Sequence, residues 1–495
     1  MFKFFVSVIM SLALLATAGC GGGGSSSSSP FTPDDNTTVP GDPEDPGFTV
    51  IGTLEDLGDL IGDTDSWYWT EAAAINNEGE VVGQANNSDD GSPKEAFFWD
   101  SASKEMTALG GHTGGPYSDY YYLKEQTPDD WLIYSEAVDI NNSGTIIGHT
   151  TTGTGWPEEE DLRAFAIKNG ELFDLPPISY YDSTGKRVIG EFSQANDINE
   201  LGNVLVTLDD EEGRHAYFWD GTTLYNDIFG EDPFFEVTID SVEYNIAILD
   251  YPLYQGTCGI LNEDSEGVAL NEEGHALLNS GGVAVWCDIE RGIVESLNGF
   301  DGSSVGVDIN NQLSMSGSGN QVSHITGNSE DIAFFWDGGA MLPLGTLADD
   351  DSGSSEAIAM NDLDQVVGNA TTNDGTTHAF LWSNATKEMT DLGTLGGDNS
   401  YATAINDAGQ VVGYSETGEL YDLEGVTRNI IHAFLWDDGT MYDLGSHNDF
   451  YTFSFGESYP FSQAVDINDT GEVVGFSYTI NNHRRAFYLN PTILP

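Results

Sequence analysis

Five basic side chains recur at one spacing and are the first residues to weigh for chemistry. Arg163, His215, His378, His432 and Arg485 each stand immediately before an Ala in a repeated aromatic segment. Superposed copies would bring them into a partial ring able to line a ligand path or hold an anion. The commoner use of such a residue is local: it satisfies a turn or carboxylate within its own copy. A second pattern is rich in oxygen, as at Asp139-Ile140-Asn141-Asn142 and Asp466-Ile467-Asn468-Asp469. A calcium loop needs a third oxygen ligand and a bidentate Glu at fixed spacing. Neither is present, and Ala74, Ala359 and Ala404 replace the Asp in other copies. A tight turn accounts for this motif, so no metal ligand is named and no cofactor is expected, calcium being the one weak candidate. The chain holds no nucleophile elbow, His-rich metal motif, phosphate loop or dinucleotide fingerprint, and no catalytic residue is assigned. Carboxylate pairs suited to glycoside hydrolysis stay open among 82 Asp and Glu.

Aromatic side chains make the better case for binding. Of ten Trp, six close the repeated aromatic segments, and Trp67, Trp69, Trp131 and Trp156 fall in connecting stretches. Tyr68, Tyr120, Tyr121 and Tyr451 lie in the same kind of stretch, beside Asp, Asn and Ser. Aromatics in such company suit sugar rings, which stack their C–H faces and hydrogen-bond at their edges. The alternative is a lid in which these loops pack on themselves.

Charge excludes several partners. Fourteen Lys and Arg against 82 Asp and Glu give a net charge of −68, and nucleic-acid binding requires clustered cations to neutralise phosphates. Polyanionic glycans and anionic membrane surfaces are disfavoured for the same reason. At the N-terminus Lys3 precedes an apolar run from Phe4 to Leu15, too short to span a bilayer. Thr17-Ala18-Gly19-Cys20 resembles a bacterial lipoprotein box, departing from it at Thr17, where Leu is expected. The resemblance implies a signal peptide over 1–20, lipidation at Cys20, and an exported protein on the outer membrane or cell surface. It would touch the membrane through the lipid alone. Residues 21–46, Gly/Ser-rich and then acidic with Pro, read as a tether. Cys258 and Cys287 would form a disulfide in an oxidising compartment, or remain two buried thiols.

These residues need a scaffold, and the repeat supplies it. Asn boxes stand at Asn76, Asn141, Asn199, Asn271, Asn310, Asn361, Asn406 and Asn468, mostly with Gly three positions on. Asn-x-x-Gly between β-branched runs marks a tight hairpin turn. Each copy thus has strand A before the turn, strand B after it (Glu80-Val81-Val82-Gly83), an aromatic strand C (Ala96-Phe97-Phe98-Trp99), and a strand D ending in Leu-Gly. Four strands repeated in series spell an all-β propeller. Eight blades are favoured, with seven as the fallback if the Asn271 copy is irregular. After Phe487-Tyr488-Leu489 no D strand is expected; Val50-Ile51-Gly52-Thr53-Leu54 matches Asp391-Leu392-Gly393-Thr394-Leu395 and would close the ring. The propeller domain then runs over 47–495, as a monomer. A–B and C–D turns share one face and are short. B–C and D–A loops share the other, vary in length, and carry the loop aromatics.

His378-Ala379-Phe380-Leu381-Trp382 and Asp391-Leu392-Gly393-Thr394-Leu395-Gly396-Gly397 resemble the HAF family of probable extracellular repeats. The resemblance covers about 47 to 489 and implies an exported bacterial repeat protein, with no chemistry attached. Two functional classes follow: a surface binding module for a glycan or another surface protein, or a polysaccharide-degrading hydrolase or lyase on the same scaffold.

Overall fold

A computed structural model describes residues 49–51, 54–60, 69–86, 94–110, 134–151, 162–175, 179–181, 187–189, 192–209, 214–219, 237–239, 242–244, 247–248, 265–289, 291, 293–297, 299, 303–322, 329–350, 352–423, 426–447, 461–479 and 483–494. The segments 1–20 and 21–46, and with them Cys20, lie outside these, as does Cys258.

Eight four-stranded antiparallel sheets follow one another along the chain. Their A strands adjoin one another all the way round, the last touching the first. The fold is an eight-bladed β-propeller. Blade 1 comprises Thr70–Ile75, Glu80–Asn86, Lys94–Asp100 and Glu105–Gly110. Blades 2 to 8 begin at Ser135, Ser193, Ser265, Ser304, Ser355, Ser400 and Ser462. The Asn271 copy is regular, with A strand Ser265–Leu270 and C strand Val283–Asp288, which removes the seven-blade alternative. Cys287 is buried in that C strand.

Two sequence regularities have one packing cause. In six blades a B-strand Gly lies opposite the C-strand Phe: Gly83 with Phe97, Gly148 with Phe165, Gly317 with Phe334, Gly368 with Phe380, Gly413 with Phe434 and Gly475 with Phe487. A Cβ on Gly413 would stand 2.0 Å from the Tyr401 carbonyl oxygen and 2.9 Å from the Phe434 ring. The ring thus folds over the bare backbone of its neighbour, and the A strand presses in behind it. Blades 3 and 4 place Val206 and Leu278 there instead, opposite Tyr217 and Val285.

Every A–B ladder also carries a β-bulge at the same place, four to two residues before the Asn, as between Ala72 and Ala74 or Ala402 and Ala404. A bulge increases local twist, and its eightfold repetition bends each innermost strand alike before its turn.

The N-terminal segment does close the ring, though in a different register from the one expected. Glu55 and Asp56 pair with Tyr488 and Phe487 as strand D of blade 8. The true counterpart of Asp391-Leu392-Gly393 is therefore Asp56-Leu57-Gly58. In both, the Asp Oδ1 accepts from the Gly N–H two residues on, at 2.8 Å, and the Leu N–H donates to the C-strand Ala carbonyl, at 3.1 and 3.0 Å. Val50-Ile51-Gly52 mimics the Leu-Gly ending but has Val50 where this Asx turn needs Asp. Thr49–Ile51 instead pairs with Thr492–Leu494, beyond the expected end of blade 8. Blade 3 departs as well: its D strand, Ala247–Ile248, comes long after Trp219, with a hairpin of Val237–Ile239 and Val242–Tyr244 between them. One C–D connection is thus long, against the short turns expected throughout that face.

Candidate functional site

The two faces of the ring have different chemistry. On the turn face, each Asn-box side chain does two jobs. Its Oδ1 accepts from backbone N–H groups within its own turn; for Asn406 these are Ala408 at 3.1 Å and Gln410 at 2.9 Å. Its Nδ2 donates to the backbone carbonyl of the Asn in the next blade, and eight such bonds of 2.8–3.0 Å run round the ring without a break. The next residue adds a parallel circuit. Asn77, Asn142, Glu200, Glu272, Asn311, Asp362, Asp407 and Asp469 each donate a backbone N–H to the side-chain oxygen of their counterpart one blade on, at 2.6–3.0 Å.

These side chains border a cavity of about 300 Å³ at the axis. Burial raises the carboxyls of Glu200 and Asp407 above the usual range, with neighbouring carboxylates adding to it. Asp466 completes the picture: its Oδ1 accepts from its own following N–H at 2.9 Å, its Oδ2 from Ile75 in blade 1 at 3.0 Å. The oxygens that suggested a calcium loop are thus acceptors for bulge and turn N–H groups. Among the described residues no group of three or more His, Cys, Asp or Glu is arranged to hold a metal ion. This face holds blades together.

At the loop face the blades are tied differently. The Ser or Thr opening each A strand accepts from the C-strand Ala N–H of the preceding blade, in eight bonds of 2.8–3.2 Å that close with Thr70 and Ala486. In blades 3 to 6 a polar B-strand residue adds a further tie to the next blade: Thr207 to Gly267, Asn279 to Gly306, Ser318 to Ala357 and Asn369 to Ala402, at 2.8–3.1 Å. In blades 7, 8, 1 and 2 the same register position holds Tyr414, Phe476, Gln84 and His149. That half of the face is where unusual side chains gather.

There, aromatic rings and cations alternate across the seam between blades 8 and 1. Phe461 stacks on Phe476 at 5.8 Å; the Arg484 guanidinium lies 3.4 Å over Phe476 and 5.3 Å from the Trp69 ring. Lys94 Nζ sits 3.5 Å above Trp69 and 5.9 Å from the Tyr134 ring. Carboxylates flank the column: Arg484 is ion-paired to Glu71, and the Tyr134 hydroxyl bonds to Glu136 and, at 2.8 Å, to Gln84.

Burial perturbs the whole group. It raises Glu71 despite the opposing pull of Arg484 and Lys94, and lowers Lys94, Arg484 and the fully buried His149, which is thereby held neutral. Burial, with the Glu136 charge behind it, pushes the Tyr134 phenol well above its ordinary value. Such clustering marks a candidate functional site.

Of the aromatics singled out from the sequence, Trp69 belongs to this column. Trp67, Tyr68, Tyr120, Tyr121, Trp131, Trp156 and Tyr451 lie outside the described residues. Three of the five basic residues before the C-strand Ala take the local role. His378 and His432 each bond an Asp on the adjoining D strand, Asp391 and Asp443, at 2.9 Å, and Arg485 bonds Asp59 of the closing segment at 3.1 Å. Sequence reasoning passed over Lys94 and Arg484. The visible signal was two cations opening C strands in adjoining blades of a chain with so few.

No protein-family model matches the chain, and no curated protein matches it. Among solved structures it is similar to TolB from Acinetobacter baumannii, at 8% identity over 84% of this chain and 83% of that one, with a TM-score of 0.32. It is similar to the β-propeller domain of the Trilobed protease from Pyrococcus furiosus, at 11% identity over 73% and 94%, TM-score 0.38. With the Pyrococcus horikoshii acylaminoacyl peptidase the figures are 11%, 72% and 51%, and 0.35. These similarities are of general architecture and carry nothing about activity.

Proposed function

We propose that the protein is a binding module, anchored at the cell surface by a lipid on Cys20, whose loop face around blades 8, 1 and 2 takes a neutral glycan or another surface protein. One observation carries the reading. The turn face spends its polar groups on blade-to-blade bonds, whereas the loop face breaks its own bonding pattern there to assemble Trp69, Lys94, Arg484, Tyr134 and two carboxylates. Binding residues concentrate on loops held by a rigid scaffold. Export to the outer membrane or cell surface follows from the N-terminal reading and agrees with the HAF resemblance, and the propeller is taken to act as a monomer. The proposal also takes in the loop aromatics read from the sequence, Trp67, Tyr68, Tyr120, Tyr121, Trp131, Trp156 and Tyr451, which lie outside the described residues.

Gel retardation against a panel of neutral polysaccharides, with product size read from the same incubations, tests this. Retardation without shortening of the polymer is expected. Shortened product would replace the reading with the hydrolase or lyase alternative. No retardation by any glycan would leave the surface-protein branch, testable by crosslinking on whole cells.

A further inference from the structure

Lys94 is placed oddly for a cation in so acidic a chain. Among the described residues no carboxylate lies within ion-pairing distance of its Nζ, which rests 3.5 Å above the Trp69 ring and faces Tyr134 at 5.9 Å. Every other element of the cluster has a partner: Arg484 has Glu71, and Glu136 has Tyr134. Formal charges around Trp69 balance only with Lys94 present, two carboxylates (Glu71, Glu136) against two cations (Lys94, Arg484) and a neutral His149. Taking Lys94 away leaves one net negative charge beside an indole and a phenol ring. Aromatic faces with a nearby uncompensated carboxylate are what a protonated amine binds.

We infer that Trp69, Tyr134, Glu71 and Glu136 form an ammonium-binding site, that the protein's own Lys94 occupies it, and that the ligand able to displace Lys94 is an amino-sugar glycan with free amines. The inference rests on the proposed loop-face binding function and replaces its neutral glycan with a cationic one. Lys94 opens its strand, so its long side chain can swing aside without disturbing the ladder. A glucosamine unit offers a ring face for the indole, an ammonium for the vacated position, and hydroxyls for Gln84 and Tyr134. The net charge of −68 draws a polycation in.

The test is calorimetry of the full chain at fixed salt with three oligomers: fully deacetylated glucosamine, N-acetylglucosamine and a neutral glucan. Removing an intramolecular competitor should tighten the glucosamine oligomer about tenfold in both Lys94→Ala and Lys94→Met, leaving the other two unchanged. Lys94→Met keeps the apolar cover on Trp69 and guards against misfolding. Trp69→Ala should weaken glucosamine binding about tenfold; non-specific attraction between opposite charges would not notice that change. Glucosamine affinity unaltered by both Lys94 substitutions, or insensitive to Trp69→Ala, overturns the ammonium site. Retention of the neutral glucan alone overturns it while sparing the binding-module reading. Failure of all three oligomers with retention of a Lys-rich peptide overturns the choice of an amino sugar.

Discussion

Replacing Asn406 by Ala should cost the fold far more than the loss of one small polar side chain suggests. The Asn is 3% exposed. Its removal strips an acceptor from the Ala408 and Gln410 N–H groups and a donor from the Asn468 carbonyl. An orphaned buried polar group costs roughly 1–3 kcal/mol. Water reaches the Ala408 end of the turn, so the sum is about 3 kcal/mol rather than the upper limit. Asn406→Asp sharpens the test: it keeps both accepted N–H bonds but turns a carboxylate oxygen toward the Asn468 carbonyl. It should lose as much as Ala, because the blade-to-blade bond fails while the turn survives. Asp407→Asn is the control. It keeps the oxygen that accepts from Asp362 and relieves crowding with Asp362 and Asp469, so stability should stay within about 0.5 kcal/mol of the parent or rise. Urea unfolding of the full chain at pH 7, followed by Trp fluorescence, measures all three. An Asn406→Ala chain as stable as the parent, or an Asp407→Asn chain as damaged as Asn406→Ala, would refute the idea that the Asn circuit holds neighbouring blades.

Other expectations can be checked on the same footing. Gly413→Ala should destabilise by about 3 kcal/mol or more, since its Cβ meets the Tyr401 carbonyl at 2.0 Å; Gly439→Ala, where a Cβ meets open space, should cost only the strain of its positive φ, and equal losses would sink the argument. Arg484→Met should cost about 3–5 kcal/mol by leaving Glu71 buried without its cation, whereas His432→Ala, whose Asp443 partner is half exposed, should cost less than about 1 kcal/mol. Glu71 holds its proton more tightly folded than unfolded, so its contribution to stability is present below the unfolded carboxylate value and is lost as pH rises through the raised folded one. Stability curves of Glu71→Gln and the parent should therefore diverge with rising pH in that window, in favour of Gln, and parallel curves would contradict the shift. Thiol titration of unfolded, unreduced protein should find Cys258 and Cys287 paired; two reactive thiols would refute the disulfide.

The repeat made the architecture readable because each blade spends the same few residues on the same jobs. Asn needs both its acceptor and its donor in every blade, Gly sits beneath Phe in six, and a turn of Asp-Leu-Gly ends the sheets of blades 6, 7 and 8. Register was harder. Val50-Ile51-Gly52 and Asp56-Leu57-Gly58 differ by six residues and look alike until the Asx turn is required of the match. The candidate site was legible only in part. Trp69 stood out as an aromatic outside the repeat, but Lys94 and Arg484 occupy ordinary strand-opening positions. Their meaning comes from adjacency across a seam that joins residues some four hundred positions apart, which no local pattern encodes.

Closure by Glu55 and Asp56 also sets an order of events in time. Glu55 and Asp56, which precede blade 1 in the chain, dock on Tyr488 and Phe487, which follow blades 1 to 7. Blades 1 to 7 can each form as their own four strands appear, since their ladders are local. The eighth cannot, and all three blade-to-blade hydrogen-bond circuits stay open until it does. A growing or threading chain therefore carries an unpaired blade edge for its whole length, an aggregation risk of a known kind, and the ring becomes stable in a single late step. Truncation within residues 462–489 should behave less like shortening a protein than like cutting a hoop.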